Sequence, residues 1–309
     1  MEGVMMRGPH KTAVAVRKPD GEIEVKVDET VTKKHNKVFK LPVIRGCINF
    51  IESLVVGMKA LMYSAEFADI EEDDKEEGKF DKWLEEKLGD NLNDVVIYFA
   101  VFLSVILSLG LFILLPSLIS GLVESIPGIQ WFTGTKTFTS VFEGVMRMAI
   151  FLGYMALVSR MKEIRRVFEY HGAEHKTIAC YEAGEELTVE NVKKYERFHP
   201  RCGTSFLLFV MIISIIIYAF LPRFDEFNRI IAILLRMGTR LLCLPIVAGL
   251  SYEVIKWAGR SKSEIVGIFS KPGLWLQKLT TCEPDKSQIE VAIASMMPCI
   301  PENKEEDKW

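Results

Sequence analysis

Apolar and charged positions fall in long alternating blocks, and the blocks set the plan of the chain. Val95–Leu115 carries no charge, and Phe206–Leu221 runs on apolar from Cys202. As helices of about 20 residues, both reach across the hydrocarbon of a bilayer. Two further blocks have the length but hold ionised side chains: Glu143 and Arg147 in Val141–Val158, and Arg236, Arg240 and Glu253 in Ile230–Ile255. Charge is costly there, so these residues predict ion pairs, Glu143 with one of the arginines first, or the lining of a polar cavity. The expected fold is therefore mainly α: a polytopic membrane helical bundle of about four spanning helices.

The polar blocks carry their own periodicities. Thr12–Arg17 and Glu22–Val27 alternate apolar with polar residues around Lys18-Pro19-Asp20-Gly21, which predicts a small N-terminal β-hairpin packed on another element. Leu41–Phe67 is apolar except for Arg45, Glu52 and Lys59, which form one stripe at seven-residue spacing. That pattern predicts a helix lying in the interface, or packed on the bundle, rather than one crossing alone. Glu71–Glu77 reads as a solvated acidic linker and Phe80–Leu88 as a short amphipathic helix.

Between the second and third spans, a helix through His171 is expected to end near Ala183, where Gly184 supplies the stop. A second is expected after Thr188, reaching Phe198 before Pro200. Together they form an αα-hairpin. Pro272-Gly273-Leu274-Trp275-Leu276 with Lys278 predicts a short amphipathic piece at the interface, and the capping box Ser287-Gln288-Ile289-Glu290 a helix to about Met297. After Pro301 the tail is charged and expected to be disordered. The chain thus divides into 1–40 (hairpin), 41–93 (interfacial helix and linker), 94–161 (spans one and two), 162–203 (αα-hairpin), 204–258 (spans three and four) and 259–309 (C-terminal segment).

Charge decides the sidedness. The 309 residues sum to −3, but Lys and Arg concentrate between Arg160 and Arg201 and again after Lys256, while the two opposite loops are poor in them. By the positive-inside rule the N-terminus, the His-bearing hairpin and the C-terminus are cytoplasmic, in a multi-pass protein of the cell membrane. The first residues lack a basic stretch followed by an apolar one, so no signal peptide is expected. Six scattered cysteines facing a reducing compartment predict no disulfide framework. No phosphate-binding loop, dinucleotide fingerprint or basic nucleic-acid face is present. The expected partner is the lipid bilayer, with other membrane proteins or a second copy left open, and no nucleic acid.

Chemistry concentrates in His171-Gly172-Ala173-Glu174-His175. Two imidazoles at i and i+4 on a helix project from one face, about 6 Å apart at Cβ, and can share a metal ion. Read as H-x-x-E-H, the stretch has the spacing of inverted zinc hydrolases, with Glu174 as the catalytic general base. An antiparallel hairpin returns His199-Pro200-Arg201-Cys202 to the same level, so His171, His175, His199 and Cys202 are the expected metal ligands, zinc first among divalent ions. Glu182 shares their face but lies about 10 Å further along the helix. The site makes the protein a metal-dependent hydrolase at the membrane surface. The alternative is a non-enzymatic membrane factor, a transporter-like bundle or a partner of another membrane complex, in which the His/Cys cluster is structural or empty.

Several motifs carry a family resemblance: Glu2–Pro9 (EGVMMRGP), Arg45-Gly46 with Glu52-Ser53-Leu54, His171–Lys176 (HGAEHK), His199–Phe206 (HPRCGTSF) and Pro272–Gln277 (PGLWLQ). Together they resemble the bacterial DUF1385 family, also called YqhQ-like, over nearly the whole chain. The resemblance implies a multi-pass membrane protein of a group described as predicted metal-dependent enzymes. Members usually carry a few residues, often Gly-Gly-Gln-Ala-Val-Ile, ahead of the EGVMMRG run, so a slightly truncated start is expected. Against inverted zinc proteases only H-x-x-E-H matches; their downstream Glu ligand has no counterpart here.

Overall fold

The computed structural model describes residues 2–30, 41–67, 92–124, 126, 136–199, 202–222, 224, 226–260 and 264–303. The acidic run 71–77, the helix expected over Phe80–Leu88 and the end of the charged tail lie outside them. Two compact units are present, Met1–Ala68 with Leu152–Trp309, and Asp69–Phe151. In chain order come strands β1 (Gly3–Arg7), β2 (Lys11–Arg17) and β3 (Ile23–Glu29), then α1 (Ile44–Ala65) and α2 (Leu92–Leu109). A π-turn (Gly110–Leu114) leads into α3 (Leu115–Glu124), followed by α4 (Lys136–Val158), α5 (Lys162–Glu182), α6 (Val189–Val192) and α7 (Gly203–Ala219). The chain ends with α8 (Arg229–Arg260), α9 (Glu264–Thr280) and α10 (Lys286–Met296).

The architecture is mainly helical with a small sheet, as the patterning predicts. Among the described residues, four helices are long and apolar enough to cross a membrane: 44–64, 102–123, 138–158 and 234–257. The set differs from the expected one. α1 qualifies by length and composition, whereas α7 is apolar but has only 17 residues, about 26 Å at 1.5 Å per residue.

In the first unit the expected hairpin is β2–β3, turning at Gly21 with φ 90°. A third strand, β1, pairs antiparallel with β2 on the other side. It escaped the periodicity because Met5, between the buried Val4 and Met6, is also apolar. One face of the sheet packs on α5 and α10 through Val4, Met6, Ala15, Tyr170, Ile289 and Val291. Full burial of Ile289 and Val291 contributes about 2 kcal/mol each. This core supplies the partner that an isolated hairpin needs.

α10 is capped two positions earlier than expected, at Asp285 instead of Ser287. Asp285 accepts from Gln288 N (2.9 Å), and Gln288 Oε1 accepts from Asp285 N (2.9 Å), so the capping box is Asp285–Gln288. Ser287 donates to Asp285 instead of capping (2.7 Å). α1 packs on α8. Gly46 lies so close to Gly249 that a Cβ there would sit 2.8 Å from its carbonyl oxygen. Arg45 pairs with Glu253 (2.7 Å), and Asn49 donates to Tyr252 Oη (2.7 Å). Two members of the polar stripe are therefore used within the protein, Arg45 on Glu253 and Glu52 on Arg7 (3.5 Å).

In the second unit the first span does not end at Pro116, where the sequence suggested a stop, but continues through α3. Proline cannot donate to the carbonyl four residues back, here Phe112. Arg147 Nε donates to that oxygen instead (2.8 Å), inside the π-turn that absorbs the extra residue. A charged side chain in an apolar span thus completes the backbone of its neighbour. Glu143, one turn away, is buried.

Candidate metal centre

α5 runs to Glu182, with Gly184 left-handed at φ 76° just beyond, as the stop signal predicts. The return limb is different. Thr188 caps α6, its hydroxyl accepting from Asn191 N (3.3 Å), but the helix ends after one turn at Val192 instead of reaching Phe198. Side chains claim the carbonyls a longer helix would need. Lys176 Nζ donates to Lys193 O (3.3 Å), and His175 Nδ1 to Arg197 O (2.7 Å). Gln277 holds both sides of His199, accepting from its N–H (2.9 Å) and donating to its carbonyl (2.7 Å). Pro200 also disfavours helical backbone at His199.

The fold-back nonetheless occurs. His171, His175 and Cys202 each offer a ligand atom, and these atoms all lie within 4.8 Å of one another. His171 Nε2 is 3.2 Å from Cys202 Sγ. Around a tetrahedral zinc, bond lengths near 2.0 and 2.3 Å put N and S about 3.5 Å apart. Both imidazoles are oriented by backbone oxygens, His171 Nδ1 by Thr280 O (2.8 Å) and His175 Nδ1 by Arg197 O (2.7 Å). Each Nδ1 carries the proton, which leaves the lone pair of Nε2 for an ion, the arrangement that metal-binding histidines adopt. The donor set therefore fits zinc.

His199 stands one layer out. Its ring centroid is 5.8 Å from that of His175, and its Nε2 meets Glu182 Oε2 at 3.4 Å. Of the four expected ligands the structure brings three together. Glu182, too far to share their ion, reaches His199 instead.

Electrostatics match the geometry. Burial opposes ionisation of Cys202, but hydrogen bonds from His171 and His175 outweigh it and bring the thiol down to about 5. Cys202 is also the N-cap of α7, with Thr204 N donating to its sulfur (3.4 Å), where a helix favours an anion. Burial disfavours a charged His171, yet the hydrogen bond to Cys202 and the nearby Glu174 raise it to about 9. Burial pushes the Glu174 carboxyl above its usual range, against the pull of His171 and His175. Glu174 lines a cleft of 1260 Å³ together with His171, His175, Cys202 and His199.

A family model described as "Protein of unknown function (DUF1385)" matches residues 41–302. The chain belongs to the DUF1385 family. It is 36% identical over 298 residues to "Uncharacterized protein YqhQ" of Bacillus subtilis (strain 168), covering 96% of this chain and 88% of that protein. No solved structure matches.

Within this DUF1385 chain, residues singled out only as motif letters acquire physical roles. Gly172 packs against the chain at Cys282, whose carbonyl oxygen occupies the place of a Cβ. Lys176, itself buried, pairs with Glu283. Gly273 lets α9 approach α7, since a Cβ there would lie 2.6 Å from Ser205 Oγ. Sequence reasoning missed Thr280 and Arg197, because a backbone acceptor has no side-chain signature, and the role of Gln277, because its side chain meets the backbone of His199 across 78 positions. The PGLWLQ run was the one available signal, and it marks the helix that carries two of them.

Proposed function

We propose that the protein is a membrane-bound, metal-dependent hydrolase in which His171, His175 and Cys202 hold a zinc ion and Glu174 is the general base. One observation carries the reading: two imidazoles with their Nδ1 protons already spent turn Nε2 toward a depressed thiol, with all three ligand atoms within 4.8 Å. A structural zinc closes on four protein ligands. Here the nearest further candidate, His199, is engaged with Glu182, and the cluster opens on the cleft. Both features favour an open position over a staple.

When bound, zinc supplies Lewis acidity and lowers the pKa of a water toward neutrality. Glu174, raised by burial, is suited to take a proton from that water and return it to a leaving group. Thr280 and Arg197 keep the imidazoles aimed, and Gln277 fixes the backbone at His199, three residues before Cys202.

The site belongs on the cytoplasmic side. The core shared by the sheet, α5 and α10 supports a reading in which the N-terminal segment, the His-bearing helix and the C-terminal helix are on one side of the bilayer. An even number of crossings then separates them: α2–α3 with α4, and α7 with α8. α1 packs on the bundle without completing a crossing, and the positive-inside bias assigns the shared side.

Metal analysis of purified protein tests the proposal. One zinc per chain is expected, lost in His171→Ala, His175→Ala and Cys202→Ala, and retained in Glu174→Gln. A folded wild-type protein without bound metal would overturn it.

A further inference from the structure

The sheet offers an unpaired edge beside the metal centre. Arg17 N donates to Glu2 O and Gly8 N to Lys11 O, both at 2.8 Å, with Val4 opposite Ala15 and Met6 opposite Ala13. In an antiparallel ladder the bonded positions alternate. Glu2, Val4, Met6 and Gly8 therefore turn their backbone groups toward β2, while Gly3, Met5 and Arg7 turn theirs outward. Among the described residues, nothing pairs with that outer row.

Space follows the edge. A pocket of 340 Å³ lies between β1, α1 and α5, and Gly3, which has only backbone to offer, lines it. It meets the larger cleft at Met5, His171 and Glu174, which line both. Beyond Met5 the cleft continues past Arg7 and Gly8. The far wall is one stripe of α1: Ser53, Gly57, Ala60 and Ser64. A Cβ on Gly57 would meet nothing within 4 Å. Ser64 is 7% exposed, lines the smaller pocket, and its hydroxyl has no hydrogen-bond partner among the described residues.

We infer that this groove binds an extended polypeptide segment as an added strand on β1, and that the substrate of the proposed hydrolase is a peptide bond. The inference rests on the metal-site reading for its chemistry and on the free edge for its ligand. Strand addition satisfies outward N–H and C=O groups and reads side chains at alternate positions. A lipid chain in the same groove would leave those groups and Ser64 Oγ desolvated and unpaired, which is unfavourable. Five residues of β1 span about 17 Å, enough for a segment of about five residues with its central carbonyl beside His171 and Glu174. Hydrolysis forms a bond from the water oxygen to the carbonyl carbon and breaks the C–N bond. Glu174 carries the water's proton to the departing amine, giving a carboxylate and an amine.

Hydrogen exchange on the full-length Glu174→Gln protein in detergent micelles, zinc-loaded, tests this with a degenerate decapeptide library as the probe. Amide exchange at Gly3, Met5 and Arg7 should slow about tenfold, and at Val4 and Met6 it should stay unchanged. Gly57→Leu or Ala60→Leu, filling the groove, should abolish the slowing while zinc content holds. The inference is overturned by no slowing in zinc-loaded protein, by slowing that survives both fillings, or by the same slowing with phosphatidylglycerol–phosphatidylethanolamine vesicles and no peptide. Slowing in a protein that binds no zinc would keep the groove and defeat the metal-site reading alone.

Discussion

Two side chains decide how the site responds to its surroundings. His171, raised to about 9, holds a proton at neutral pH, whereas Cys202, lowered to about 5, has already lost its own. A metal ion must displace the proton on His171 and none from Cys202. Zinc affinity should therefore rise about tenfold per pH unit between pH 6 and 8, measured by competition with a chelator of known affinity; a flat profile would contradict the pairing. Gln277 acts one shell further out, where its amide satisfies both backbone groups of His199 (2.9 and 2.7 Å). Gln277→Leu strands those groups and loosens the approach to Cys202. A loss of about 10- to 100-fold in zinc affinity is expected, the range typical of outer-shell partners, read in the same competition assay.

Elements succeed or fail by how they meet. Gly172 sits where α5 touches the chain at Cys282, and backbone there cannot move aside as a flexible side chain would. Gly172→Ala should destabilise the protein by about 2–3 kcal/mol, seen as a lower midpoint in thermal unfolding. Legibility in the sequence follows the same logic. The β2–β3 hairpin, the Gly184 stop and the Thr188 cap were readable because each is local chemistry in a few adjacent residues. The end of α6 at Val192 and the continuation past Pro116 were not readable. In both, a distant side chain takes over a carbonyl: Lys176 that of Lys193, Arg147 that of Phe112. The convergence of His171, His175 and Cys202 was legible from spacing and an assumed fold-back, while His199 went to Glu182 because its backbone, clamped by Gln277, fixes where its ring can reach.

At the scale of the whole molecule, the shared core of sheet, α5 and α10 constrains the path through the bilayer more tightly than hydropathy does. α1 is long and apolar enough to cross, yet on the proposed path, where α2–α3 and α4 both cross, a further crossing by α1 would part the sheet from the helices it is packed against. Reporter fusions check this. A fluorescent protein fused to the C-terminus should fluoresce, and alkaline phosphatase inserted between α7 and α8 should be active; the reverse pattern would invert the proposed sidedness.

The hydrogen bond from His171 to Thr280 spans 109 positions, and it ties the first-made part of the cluster to a segment synthesised much later. During synthesis His171 emerges from the ribosome long before the carbonyl that orients it. A product terminated before Thr280 has both imidazoles but lacks the acceptor that orients His171. In the proposed site, capture of the ion by the fully aimed cluster would follow the synthesis of that segment.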